Sequence, residues 1–473
     1  MHNQLLQSIF VNKISIQDYK ILIQQRFFNK FNFYLKIKYN KWRKFMLFKK
    51  LGFTSKENFK AFITVITAGQ IIYCAFEAFK ASFYTPLINM LNISNTQFGM
   101  LFTLLGTATF FYIPAGWLNN RFTPRQLIIS GLIIRIIGTV YMVAFVNASF
   151  ISLCIVALSW GIVDAFFWPA ILNGTRLFSS EENQGLAFGL LESVRRAMEL
   201  GMNALALLIF MRLGANSSAM RIIISIYTIL IVLWVLLSIR YIPNIMYLKS
   251  ETASEKNKEA FQGLIKALLY PEVWLSGLIS MAIYTTYITI VYSVPYMQNV
   301  FMLTPTQAVA FGLFTASGIG IIGGILGGFL GDKVFKSPVK MLSASLTLTV
   351  IVLLGVLLTP KNTNYLYMSI VLMFVFSFVI FISRSVMFAP IGEANIPKDF
   401  SGSAMAVASF LAYSPIFWAY GLNGYLLDIN KDNPAQGYYY IFLIALISSA
   451  VGAICAIILY KLTKLKKSKE NNN

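Results

Sequence analysis

An α-helix needs about 20 mostly apolar residues to cross a lipid core of about 30 Å. This chain carries twelve such runs, at 61–88, 96–118, 126–147, 150–173, 185–212, 219–241, 272–298, 305–331, 338–359, 364–390, 400–427 and 437–462. Lipid offers no water to backbone N–H and C=O groups, so runs of this kind must fold as helices bonded within themselves. Composition agrees: of 473 residues, 57% are hydrophobic and 12% charged, with a mean hydropathy of +0.67. A soluble protein holds about 45–50% apolar and about 25% charged residues, so a free cytosolic enzyme, a disordered chain and a secreted disulfide scaffold are all excluded. The expected fold class is an all-α polytopic membrane protein. Pro86, Pro124, Pro243, Pro271, Pro338, Pro360 and Pro397 sit at or beside the expected boundaries.

The net charge is +21. In a soluble protein this would suggest nucleic acid, but here most Lys and Arg lie in loops and tails, and no nucleic-acid partner is expected. Placing both termini on one face puts 30 of these residues on that face and four on the other. The positive-inside rule then makes both termini cytoplasmic and favours an even number of spans. The expected segments are a basic extension over 1–60, six helices over 61–241, a cytoplasmic loop over 242–271, six helices over 272–462 and a basic tail over 463–473. Residues 1–60 have no signal-peptide core. They read as a basic extension near anionic lipid, an over-long start with the true one at Met46, or a regulatory segment. Cys74, Cys154 and Cys455 show no metal or disulfide spacing, and the only histidine is His2. No metal site and no cofactor are expected.

The chain repeats itself. Gly116-Trp117-Leu118-Asn119-Asn120-Arg121 follows the second run, and Gly328-Phe329-Leu330-Gly331-Asp332-Lys333 follows the eighth. Asn183 to Ala187 opens the fifth run and Phe400 to Ala404 the eleventh. Two like-oriented halves of six spans are a transporter architecture. The stretch Gly116 to Arg125 resembles the G-x-L-x-D-R-x-G-R-[RK] loop of the major facilitator superfamily, and Gly328 to Lys333 resembles its second copy. The resemblance covers about 61–462. In the first copy Asn120 stands for the usual Asp, Thr123 for Gly and Pro124 for a basic residue, while the second keeps Asp332 and Lys333. Ala187 to Glu192 and Ile396 to Gly402 are similar to a bacterial branch whose substrates are poorly defined. The resemblance implies gating loops at Gly116, Asn120, Arg121, Arg125, Gly328, Asp332 and Lys333. Their physics points the same way. Gly116 and Gly328 let backbones approach closely, and an Asp or Asn accepts from the exposed N–H groups of a facing helix start. The glycines of span 8 have small-xxx-small spacing, suited to tight packing or to a sliding contact.

Ionisable residues at membrane depth cost about 2.5–3.5 kcal/mol or more each, so each is read with a partner and a function. Glu77 and Lys80, three apart in span 1, either neutralise each other or meet the solute. Glu192, Arg195, Arg196 and Glu199 in span 5 carry no net charge, with Glu192–Arg196 and Arg195–Glu199 at i, i+4. They read as a structural or gating set. Asp164 and Arg384 lie at similar depth in spans 4 and 10. In the superfamily spans 1, 4, 7 and 10 line the cavity, so the resemblance implies that these two face each other. The alternative is a local pair of Asp164 with Arg135. Tyr284 and Tyr287, with the threonines of span 7, offer hydroxyls to a polar solute.

An ATP-driven pump lacks its G-x-x-x-x-G-K-[ST] loop here, and a membrane enzyme lacks HExxH, GxSxG and a usable histidine. A transporter-like receptor that binds a solute without net transport is the alternative, for which residues 463–473 make a short signalling tail. The expectation is a secondary transporter with alternating access, acting on a small organic anion or sugar-like solute. A proton is the candidate coupling ion, at Asp164 or Glu77. The protein is expected to be a monomer in the bacterial inner membrane.

Overall fold

The structure is a computed structural model that describes residues 55–111, 118–119, 121–145, 148–179, 184–245, 265–394, 396–397 and 401–470. Gly116 and Asn120 lie outside the described residues, as do most of 1–60 and of the central loop.

Nine spans among the described residues are helices long and apolar enough to cross a membrane: spans 3, 4 and 6 to 12. The other three depart from that rule for separate reasons. Span 1 is two helices, Lys56–Ile71 and Tyr84–Leu91, joined by an irregular stretch with a short 3₁₀ turn at Glu77–Phe79. Span 2 starts as Asn95–Gly106 and tightens into a 3₁₀ segment at Thr107–Phe111. Span 5 is one helix, Gln184–Arg212, but carries five charges. Pro124, Pro271 and Pro338 each open a helix, where their missing N–H has no intrahelical partner to lose. Pro86 sits instead in the first turn of the restarted half of span 1, not at the span's end. Span 12 runs over Pro434–Glu470, past the apolar run into the basic tail.

The packing carries the repeat. In the first half, span 3 packs on 6 and 4, span 1 on 6, 5 and 4, and span 2 on 4. Each pair recurs six spans later: 9 on 12 and 10, 7 on 12, 11 and 10, and 8 on 10. The local turns repeat as well. Span 1 ends at Asn92 and span 7 at Met302, both left-handed, and each is followed by a capping box, Ser94 with Gln97 and Thr304 with Gln307. The fold is therefore twelve helices in two six-helix halves.

The halves meet through span 2 on 11, span 5 on 8 and span 1 on 7. The span 2–11 seam is a glycine contact. A Cβ at Gly99 would strike the Tyr420 carbonyl, and one at Gly424 would strike the Asn95 carbonyl. Phe98 and Phe102 fill in beside it, edge-on at 5.0 Å.

Span 8 corrects one expectation. Gly328 has nothing within 4 Å of a built Cβ; the close approach belongs to its neighbour Gly327, against the Ile382 carbonyl and Ser385. One residue turns a helix by about 100°, which moves the contact off Gly328. Gly320 and Gly323 also face span 10, against Phe381 at 3.0 and 2.7 Å, so this stripe is packing inside one half. Gly327→Ala should overpack that contact by about 1–3 kcal/mol. Gly324→Ala, with open space around it, should be neutral or gain about 0.5–1 kcal/mol from helix propensity. Melting of the detergent-solubilised variants checks the contrast, and equal midpoints would refute the assignment of faces.

Candidate functional site

Irregular backbone at membrane depth is tolerated only where it is buried in protein or lines a cavity. The break in span 1 does line one. Its freed groups are taken up locally: the Ala78 N–H donates to the Tyr73 carbonyl at 3.0 Å, and Asn203 of span 5 donates to the Ala78 carbonyl at 3.2 Å. The break turns Glu77 and Lys80 into a central cavity of about 320 Å³, which Asp164, Tyr284, Tyr287 and Arg384 also line. Arg195, Arg196 and Glu199 of span 5 complete one wall. Residues from both halves, predicted separately, thus share one cavity. A larger space of about 980 Å³ adjoins it between spans 5, 8 and 10, lined by Glu192, Arg196, Gly324, Arg384, Phe388 and Tyr413.

The charge pairing follows the alternative reading for Asp164 and neither reading for Glu77. Arg135, only 1% exposed, reaches from span 3 and donates to Glu77 at 2.7 Å and to Asp164 at 3.0 Å. Asp164 therefore faces Arg135 and not Arg384, and Glu77 pairs with Arg135 and not with Lys80. The cause is geometric. The unwound backbone at 72–83 does not keep the i, i+3 spacing that would stack Lys80 on Glu77, and a planar guanidinium can serve two carboxylates at once. Trp160 covers the face of Arg135 at 4.4 Å.

In span 5, Arg196 bonds Glu192 at 3.0 Å and Glu199 at 3.3 Å, while Arg195 takes Glu192 at 3.1 Å and lies over Trp168 at 4.5 Å. The expected Arg195–Glu199 pair does not form, because Glu199 is taken by Arg196.

Two cations remain. Arg384 sits over the ring of Tyr287 at 3.7 Å, and its buried Nη1 has no hydrogen-bond partner. Lys80 lies between the rings of Phe102 at 5.1 Å and Tyr420 at 5.2 Å. Among the described residues neither has a carboxylate within 4 Å, and aromatic side chains pack directly against both. The threonines of span 7 do not join the site. Thr285, Thr286 and Thr289 bond the carbonyls of their own helix. Tyr284 and Tyr287 present their rings to Arg384 as much as their hydroxyls to the cavity.

The described signature residues sit at the end of span 8 and the start of span 3. Asp332 and Lys333 are exposed in the last, wide turn of span 8, Leu330–Val334, and Asp332 accepts no hydrogen bond among the described residues. Glu393 instead caps the start of span 9, accepting from Ser337 at 2.5 Å and from the Val339 N–H at 3.0 Å. Arg121 and Arg125 lie just before and at the start of span 3.

At the opposite end the sequence reading missed Asp428. It accepts from Asn95 and Thr96 of the other half. Tyr73, Gln70 and Tyr420, which line the cavity, were also missed. Nothing separates these tyrosines from the chain's other aromatics until the break in span 1 is known.

A search of family models matches the Major Facilitator Superfamily over residues 66–422. The chain belongs to the major facilitator superfamily. Inner membrane protein YihN of Escherichia coli K12 is 26% identical over 428 residues, covering 87% of this chain and 98% of that protein. Inner membrane protein YqcE of the same organism is 23% identical over 348 residues, covering 72% and 81%. Two solved folds are similar. A bacterial homologue of the human lysosomal transporter Spinster, inward-facing and occupied, superposes with a TM-score of 0.68 at 16% identity, covering 86% of this chain and 98% of that one. The nucleoside transporter NupG superposes with a TM-score of 0.67 at 12% identity, covering 86% and 100%. The chain is thus an integral membrane protein with a membrane-transporter fold.

Removing Arg135 would leave two carboxylates uncompensated at depth. Arg135→Met should therefore cost about 3–5 kcal/mol. Adding Glu77→Gln and Asp164→Asn should recover part of that loss, because the charges left behind are gone. The readout is melting and detergent-soluble yield of the single and triple variants; a single variant as stable as the parent would show that the triad contributes nothing.

Proposed function

We propose that this protein is a secondary transporter that carries a small organic anion through alternating access, with the central cavity as its binding site. The observation that carries this reading is the pair of cations without carboxylate partners, Lys80 from the first half and Arg384 from the second, in one cavity. An unpaired charge at membrane depth is expensive, and an anionic solute bridging the two would relieve both. The aromatic rings beside them suit the apolar face of a sugar acid or similar carboxylate. Discontinuous helices beside such sites recur in transporters.

The Arg135 triad supports proton coupling. Three cations, Lys80, Arg135 and Arg384, stand against Glu77 and Asp164, a net charge of +1. A monoanion makes that set neutral. A dianion makes it neutral only if one carboxylate also takes a proton, so Asp164 or Glu77 is the proposed proton carrier.

The basic bias sets orientation in this proposal. Residues 1–60, 242–271 and 463–473 are cytoplasmic, around halves at 61–241 and 272–462. The span 2–11 seam is then the outer end, and the large space beside span 5 opens inward. The bacterial inner membrane, where the names of both Escherichia coli relatives place those proteins, is the proposed location. Single cysteines at Ser254 and Ser468 should resist a membrane-impermeant maleimide in intact cells; rapid labelling of either reverses the orientation.

The substrate reading is tested by a thermal-shift screen of purified protein against mono- and dicarboxylates, sugar acids and neutral sugars. A ligand at 100 times its Kd stabilises by about 2.7 kcal/mol. The shift should appear with an anion, vanish in Arg384→Ala and stay largely lost in Arg384→Lys, because a point charge does not replace a planar fork. The hit is then followed in proteoliposomes. If Asp164 carries the coupling proton, Asp164→Asn should keep counterflow and lose uphill accumulation. Wild-type uptake by Arg384→Ala would sink the site assignment, and binding without any uptake would mark a receptor.

A further inference from the structure

Asp428 ends span 11 and reaches across the seam between the halves. Both carboxylate oxygens are engaged. Oδ1 accepts from the Asn95 N–H at 3.2 Å and from Asn95 Nδ2 at 2.8 Å; Oδ2 accepts from the Thr96 N–H at 2.7 Å and from Thr96 Oγ1 at 2.5 Å. Asn95 and Thr96 are the first two residues of the span 2 helix. Their N–H groups have no partner within that helix, and its dipole favours an anion there. Four bonds from one half onto one carboxylate of the other form a single contact that breaks as a unit.

Directly beneath it lies the glycine seam of Gly99 and Gly424. Beneath that, Tyr420 accepts a hydrogen bond from Tyr292 at its carbonyl, and its ring faces Lys80. The contact, the seam and the roof of the cavity are thus stacked on the same two helices. No access from this end is possible unless spans 2 and 11 part, and parting them strips Asp428 of all four donors.

The repeat offers no second copy. Span 8, the counterpart of span 2, opens on Pro305, which has no N–H to give. Span 5, the counterpart of span 11, ends on Arg212, a cation.

We infer that Asp428 is the latch of this end: bound to the start of span 2 it holds the halves together, and its release is a required step in exposing the central site to that side. The inference rests on the alternating-access reading. The test measures distances between spin labels by pulsed electron resonance, in protein whose Cys74, Cys154 and Cys455 are replaced by Ala. One pair, Ile93→Cys with Asp432→Cys, spans the latched end. A second, Ser179→Cys with Lys340→Cys, spans the opposite end. Asp428→Asn should raise the long-distance fraction of the first pair at least fivefold. Thr96→Val, which removes one donor, should shift it the same way by less, and it keeps the test alive if Asp428→Asn does not fold. The second pair should shorten as the first lengthens. Lengthening of the first pair with no change in the second would support the latch and overturn alternating access. A first-pair distribution unchanged in both variants would overturn the latch.

Discussion

An arginine at membrane depth is costly unless a counter-group answers it, and Arg135 is answered by two carboxylates from spans other than its own. Asp164 comes from a regular helix, so its position follows from span 4 packing on span 3. Glu77 does not. A continuous helix in span 1 would keep Lys80 on the same face as Glu77, three residues on. The structure opens the backbone between Ile71 and Tyr84 instead, which lets Glu77 turn to Arg135 while Lys80 turns to Phe102 and Tyr420. The break is thus tied to the ion triad. It also brings non-helical backbone to the cavity wall, where water and solute can reach it.

The architecture was legible because its signals are long. Twelve apolar runs and two signature loops each average over many residues, and no local irregularity could erase them. Which charges line the cavity was legible too, since the cost of a buried charge marks Glu77, Lys80, Asp164, Arg384 and the span 5 group one residue at a time. The pairing was not. Helical spacing assigned Arg195 to Glu199 and Glu77 to Lys80, and both assignments fail where a competing partner or an unwound backbone wins. Depth counted from the cytoplasmic ends favoured Arg384 over Arg135 as the partner of Asp164, and the alternative is the one that forms, because Arg135 lies nearer on an adjacent helix. One clue was available and unused: S/T-x-x-Q follows both span 1 and span 7, at Ser94–Gln97 and Thr304–Gln307, and this locates the two helix starts to the residue. The first of these starts is the one that Asp428 grips.

The two ends of the molecule differ in kind. At the seam end, carbonyls lie against Gly99 and Gly424, and neither glycine can be enlarged without shifting the opposing backbone. At the other end the charges of span 5 and Arg384 border a space of about 980 Å³. The exposed Asp332 belongs to that second end. Glu393, and not Asp332, serves the start of span 9 within its own half.

A solute can drive a change of shape only through the difference in its free energy between the two shapes. In the proposed cycle that difference comes from Lys80 and Arg384, because they belong to different halves. With the cavity empty, the two cations repel and nothing draws the open end shut. An anion between them is attracted to both and pulls the halves together on the open side. The same movement loads the latched end, where the four bonds to Asp428 resist. The cycle therefore sets one charge contact against another: an anion shared by two cations at the centre, and a carboxylate held by a helix start at the rim. Substitutions that leave the cavity untouched but weaken the rim would change which side the empty site faces, while substitutions at Lys80 or Arg384 would change what closes it.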